Sequence, residues 1–296
     1  MPKEIFYRNQ NVEESNRLAV RGLVEARRVA LAPVLDNNLN MPEENQNLAI
    51  STLLVKQELA SLGLNGNVPL PENHDLHLLK EGEFAKIRKI ISLPEDVLGV
   101  NIPGLHKIII LRGPKPEEDL VTLFHEVVHY ASFESVGADW RNIVGFRSGY
   151  ALPHRDFSGF NEGVVQKVVA ELITQNQDRF PQLREAYDVK NLVNEPYKEE
   201  QNVVEGIVNT VSKYRGEPPE EVWRRIKRGL FTGHIVHLKD VERAFGEEAL
   251  FLLSLYGNVD EGSPSYNQRI NTYLAIFFTC PEEERPEVDK QLKVYL

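Results

Sequence analysis

The sequence predicts an α+β protein that is mostly helical, and three observations carry that prediction. Apolar residues recur at spacings of three and four over most of the chain. The β-branched runs flanked by Pro and Gly are short and lie before the chain midpoint. From Tyr197 onward, Gly and Pro divide the sequence into pieces of helix length.

The elements follow in order. Leu18, Val20, Leu23 and Val24 within Val12 to Leu35, and Leu48, Ile50, Leu53, Leu54 and Leu59 within Pro42 to Leu62, read as two helices. Gly63 to Asn67 and the proline-bearing stretch to Asn73 end this pattern, which sets off residues 1–75 as an N-terminal helical layer. Ile87, Ile90 and Ile91 between Phe84 and Leu93, and Ile108 to Ile110 between Lys107 and Leu111, point to strands of a small sheet. Gly113-Pro114-Lys115-Pro116 closes the second strand. Glu117, Glu118 and Asp119 then place negative charge where a helix N-terminus favours it, so a helix is expected to about Phe133. Trp140 to Phe160 is an irregular connector, broken by Gly145, Gly149, Pro153 and Gly159, in which Asn142-Ile143-Val144 suits a hairpin. Val164, Val165, Val168, Val169, Leu172 and Ile173 then make a helix of Asn161 to Asn176. Residues 76–180 form the expected core. Residues 181–296 form a C-terminal helical lobe, able to join that core in one unit, with four or five helices from Tyr197 to Tyr295 broken at Gly216, Gly233, Gly257 and Pro281. No internal repeat is visible.

Composition narrows the function. A chain of 296 residues with 42% hydrophobic content buries a large core without disulfides. Its one cysteine, Cys280, has no companion for a thiolate metal cluster, so a metal site here would use His and carboxylate. The net charge of -10 argues against a nucleic-acid partner. The basic run Arg224-Arg225-Ile226-Lys227-Arg228 alternates with Val222, Trp223 and Leu230 as the solvated face of an amphipathic helix does. Met1 to Gln10 is polar and no long apolar run follows, so the expectation is a cytoplasmic protein with no membrane partner.

The chemistry-bearing motif is His125-Glu126-Val127-Val128-His129. On a helix, residues four apart project from one face, so both imidazoles can reach one ion. The helical context is present: Leu120, Leu123, Phe124, Val127, Val128 and Ala131 make an apolar stripe, His125 and His129 align beside it, and Glu126 stands one position round. Between Thr122 and Ala131 the only charge is that of Glu126. Two histidines and a carboxylate suit one zinc ion, and a hydrolytic zinc takes three protein ligands. Glu162, at the start of the next apolar helix, is the favoured third ligand; His154 in the connector is its rival.

Thr122 to Ala131 resembles the extended zincin consensus, and with Asn161-Glu162-Gly163 the chain is similar to gluzincins, metallopeptidases whose third ligand is Glu. The match covers roughly Pro116 to Asn176. The resemblance implies a zincin-like fold, with a small sheet over the motif helix, a helical C-terminal lobe and a peptide or protein substrate in a cleft. It also implies that Glu126 is the general base toward metal-activated water. The oxyanion donor in such sites is commonly Tyr or His, for which Tyr150, His154 and Tyr197 are the candidates; Arg147 and Arg155 are candidates for meeting a substrate carboxylate. Two departures stand out: the interval from His129 to Glu162 is longer than in the thermolysin-like branch, and Gln166 occupies the place of an acidic residue that orients a zinc-bound His. A regulatory zincin-domain protein acting on one partner, and a zinc site of purely structural role, are the competing readings. The sequence leaves oligomeric state open.

Overall fold

The computed structural model of the chain describes residues 14–35, 42–64, 68–102, 104–138, 144–152, 156–184, 188–257 and 264–295. It is α+β and mostly helical, and the chain divides into two units, one of residues 11–136 and 168–195 and the other of 1–10, 137–167 and 196–296.

The first unit contains α1 (Glu14–Leu35), α2 (Pro42–Ser61), β1 (Leu76–Leu79), α3 (Glu81–Ile91), β2 (Gly99–Ile102), β3 (Lys107–Leu111) and α4 (Pro116–Ala131). The three strands make one sheet in the order β1-β3-β2. β1 runs parallel to β3, with Leu76 opposite Ile108, and β2 runs antiparallel, with Gly99 opposite Ile110. Because side chains alternate across a sheet, the central strand serves two faces. Ile109, Leu79 and Ile102 join Leu31 and Leu35 of α1 and Phe84 and Ile87 of α3 in one buried cluster. Ile108 and Ile110, also fully buried, point to the opposite face, and α4 packs on β3 and β2 there.

The segment Phe84 to Leu93, expected as a strand, is helix α3. Its buried pair Phe84 and Ile87 stands at i and i+3, a helical spacing, and Glu83 reaches back to accept the Lys80 N–H at 3.4 Å. Acidic Glu81 and Glu83 in the first turn and Arg88 and Lys89 in the last complete a helix that the isoleucines obscured. The sheet instead takes Leu76 to Leu79, four buried residues in succession, and the edge strand Gly99 to Ile102. Lys107 to Leu111 is a strand, as the sequence indicates.

The second unit has β5 (Val144–Ser148), whose partner in a two-stranded sheet is β4 (Glu134–Ala138), then α8 (Lys198–Arg215), α9 (Pro219–Thr232), α10 (Leu238–Phe245), α11 (Ala249–Leu255), α12 (Pro264–Thr279) and α13 (Arg285–Tyr295). Between these sequences lie α5 (Ser158–Asn176), whose residues fall in both units, and the short α6 (Pro181–Arg184) and α7 (Val189–Asn194) of the first unit. Gly216 and Gly233 take φ of 66° and 70° and donate their N–H to Ser212 and Gly229, closing α8 and α9 in the left-handed conformation that glycine adopts without strain. Gly246 adds a break after α10, so among the described residues the region from Tyr197 has one helix more than expected. In α9, Val222, Trp223, Ile226 and Leu230 are buried while Arg224 and Arg228 are exposed, the amphipathic pattern read from the basic run. Among the described residues no helix is long and apolar enough to cross a membrane.

Candidate metal centre

Helix α4 starts where its sequence signals place it. Pro116 occupies its first turn, and the Asp119 carboxylate turns back to accept the Gly113 N–H at 2.9 Å. Burial holds the Asp119 carboxyl above its usual range, against the lowering effect of that bond. Leu120, Leu123, Phe124, Val127 and Val128 are buried, and Phe124 meets Phe180 edge-on with ring centroids 6.1 Å apart. His125 and Glu126 are buried as well. Desolvating an imidazole and a carboxylate on a largely apolar helix is costly unless each has a partner.

The two histidines face each other. His125 Nε2 and His129 Nε2 are 2.9 Å apart, and their rings are 4.6 Å apart in a T-shaped arrangement. Glu162, in the early part of α5, completes the group: one ligand atom from each of His125, His129 and Glu162 lies within 4.8 Å of the others. Two imidazole nitrogens and a carboxylate oxygen are the donor set that zinc takes when it keeps a position open for chemistry. Four-coordinate zinc with bonds of about 2.0–2.1 Å sets two nitrogens roughly 3.3 Å apart, so the imidazole pair fits after opening by a few tenths of an ångström. The residues fit a divalent ion.

Glu126 stands beside the sheet edge. A Cβ on Gly99 of β2 would lie 3.1 Å from Glu126 Oε1 and 2.6 Å from Thr122 Cγ2, so strand and helix approach closely only because residue 99 is glycine. Tyr130, next after His129, donates its hydroxyl to Asp75 Oδ2 at 3.1 Å, and Lys107 Nζ reaches Asp75 Oδ1 at 3.2 Å. Burial works to raise the Asp75 pKa, but the bonds from the Glu72 N–H, Lys107 and Tyr130 outweigh it and hold the carboxyl below its usual value. This ties the C-terminal end of the motif helix to the start of β1.

The remaining site candidates are dispersed. Tyr150 is 2% exposed and sits inside the second unit. Its hydroxyl donates to the Ile226 carbonyl at 2.7 Å and lies 2.6 Å from His237 Nε2, so a neutral His237 donates from Nε2 to the phenol oxygen. Its backbone N–H donates to Asn161 Oδ1 at 2.8 Å, linking the connector to the start of α5. Burial pushes the Tyr150 hydroxyl well above its usual pKa and lowers His237 to about 4. Tyr197 is partly exposed and takes the left-handed φ of 53° before α8. Arg147, half-buried, donates to the Gly233 carbonyl at 2.8 Å. His154 and Arg155 lie outside the described residues. Gln166 is 1% exposed, one turn after Glu162 on α5.

Compared with known proteins, the chain matches no family model, no curated protein and no solved structure. Local chemistry alone therefore carries the functional reading.

Proposed function

We propose that the protein is a zinc-dependent peptidase in which His125, His129 and Glu162 hold the ion and Glu126 is the general base. The observation that carries this reading is the convergence of the three ligand atoms from two separate helices, with Glu126 adjacent in sequence to His125. A zinc ion bound by such a set supplies Lewis acidity, polarising a carbonyl and making water acidic near neutral pH. Glu126, buried on the motif helix, takes the proton of the attacking water and delivers it to the leaving amine. A peptide substrate is favoured by the sheet: among the described residues β2 is an end strand, and an extended chain adds to a strand edge through main-chain hydrogen bonds. Gly99 brings that strand beside the Glu126 carboxylate.

The test combines metal content with turnover of a mixed fluorogenic peptide library. Glu126→Gln is expected to keep zinc and lose about 10²–10⁴-fold in cleavage, the usual range for a positioned acid–base group. Unchanged turnover removes Glu126 from the mechanism. Glu162→Ala is expected to lose zinc while its far-UV spectrum stays that of the wild type; full retention of zinc removes Glu162 from the centre.

A further inference from the structure

A tight turn in the connector fastens the start of α5. Ser148 and Ala151 exchange backbone hydrogen bonds of 3.0 and 2.9 Å across Gly149 and Tyr150. Gly149 takes φ of 55°, the left-handed value that glycine adopts at the first position of such a two-residue turn. The N–H of the second residue points away from the ladder there, and a buried backbone donor must be met from elsewhere. Asn161 meets it, accepting from the Tyr150 N–H through Oδ1 at 2.8 Å. Asn161 is 1% exposed, and a Cβ on Gly149 would lie 2.5 Å from its Oδ1, so the side chain reaches the turn only because residue 149 is glycine.

The turn is itself fixed to α9. Arg147 donates to the Gly149 and Gly233 carbonyls at 3.2 and 2.8 Å, and the Tyr150 hydroxyl donates to the Ile226 carbonyl at 2.7 Å. Three further bonds hold the start of α5 to the end of α11 and the two residues after it. The Phe157 and Gly159 N–H groups donate to the Ser254 and Tyr256 carbonyls, each at 3.0 Å, and Ser158 Oγ donates to the Gly257 carbonyl at 2.9 Å. Glu162 is one residue past Asn161, about 1.5 Å along α5 and about 100° round it, so whatever fixes Asn161 also fixes the backbone from which Glu162 projects. Zinc–oxygen bonds are short, about 2.0–2.2 Å, and a working centre tolerates displacements of only about 0.5 Å. The side-chain torsions of Glu162 absorb part of a larger shift, and the rest weakens or distorts the ligation.

We propose that Asn161 is a positioning residue for the third metal ligand: by fastening α5 to the Gly149–Tyr150 turn, it sets where the Glu162 carboxylate stands. Tyr150 then serves the centre as the anchor of that clasp, with its hydroxyl committed to Ile226, and not as an oxyanion donor. The proposal rests on the reading of His125, His129 and Glu162 as a zinc centre.

The test reads zinc affinity, by competition with a chromogenic chelator, and the visible spectrum of the cobalt(II)-substituted protein, which reports the number and geometry of the ligands. Asn161→Ala removes the clasp and keeps Glu162; it is expected to lose about 10–100-fold in zinc affinity, the usual cost of removing the support of a ligand, and to change the cobalt spectrum. Asn161→Asp retains an oxygen for the Tyr150 N–H and is expected to keep the wild-type spectrum. Should Asn161→Ala fail to fold, Asn161→Ser, whose hydroxyl is too short to reach the turn, carries the same expectation. Leu292→Ala on α13 empties a buried site away from the clasp and is the control for stability: it should lower the urea midpoint and leave both metal readouts unchanged. Wild-type affinity and spectrum in the clasp variant, or equal weakening in Leu292→Ala, overturns the proposal while leaving the zinc centre standing. A wild type that binds no zinc removes the centre and this proposal with it.

Discussion

Glu162 and Gly163 are neighbours on α5 under opposite constraints. The first supplies a carboxylate oxygen to the histidine pair, while the second must supply nothing, because the Glu200 carbonyl occupies the space a side chain would need. Backbone yields less readily than a flexible side-chain tip, so Gly163→Ala should destabilise the fold by about 1–3 kcal/mol, read as a lower urea midpoint. An unchanged midpoint would mean that the α8 start is free to shift. A second residue-scale consequence lies at His237, whose folded pKa of about 4 is below the ordinary 6.5 because of burial and then the Arg225 charge. In the unfolded chain this group takes up its proton first as pH falls. Its contribution is therefore complete above pH 6.5 and is lost progressively down to pH 4, by at most about 3 kcal/mol. His237→Gln should show a smaller fall in urea midpoint between pH 7 and pH 4.5 than the wild type; identical falls would assign the acid sensitivity to other groups. The grouped histidines and Glu162 were legible because their message is local: spacing on one helix, then a carboxylate opening the next. The Tyr150–His237 pair was not, since its members are far apart in sequence and neither has a spacing that names the other.

Among the elements, α4 is the one whose sequence states its own role, with Pro116 and three acids at its start and an uninterrupted apolar stripe behind the histidines. α3 shows the opposite case. Ile87, Ile90 and Ile91 look like strand residues by type, yet their spacing from Phe84 and the acids and bases at the two ends specify a helix; here the period outranks residue type. The edge strand β2 was illegible because Gly99 and Asn101 are poor strand formers, and their place depends on pairing with β3. That dependence is testable. In Gly99→Ala the new methyl meets Thr122 Cγ2, so β2 should be pushed from α4 with a loss of about 1–3 kcal/mol. Adding Thr122→Ala removes the obstructing methyl, and the double variant should recover part of that loss. Simple additivity of the two single effects would show that Gly99 serves some purpose other than close approach.

At the scale of the whole molecule, the sequence correctly indicated an α+β, mostly helical chain, but it does not state where the chain divides. The second unit is assembled from separate stretches, and α5 contributes residues to both units, an arrangement with no signature in composition. The proposed metal acts on the whole chain through linkage. Zinc at about a thousand times its dissociation constant would add about 4 kcal/mol to the folded state, worth about 6 °C for a chain of this size. Calorimetric scans with zinc and after chelation should differ by that order in the wild type and not in His129→Ala. A wild-type midpoint indifferent to chelation would argue against a zinc site altogether. The long interval between His129 and Glu162 gives this effect a kinetic aspect. An ion bridging α4 and α5 would leave when the chain unfolds, so, unlike a disulfide, it would not constrain the unfolded stretch and would act on the folded state alone. The connector would then be a stretch whose two ends the bound ion clasps, and metal loading would lengthen the lifetime of the folded state to the extent that the clasp must open before the chain does.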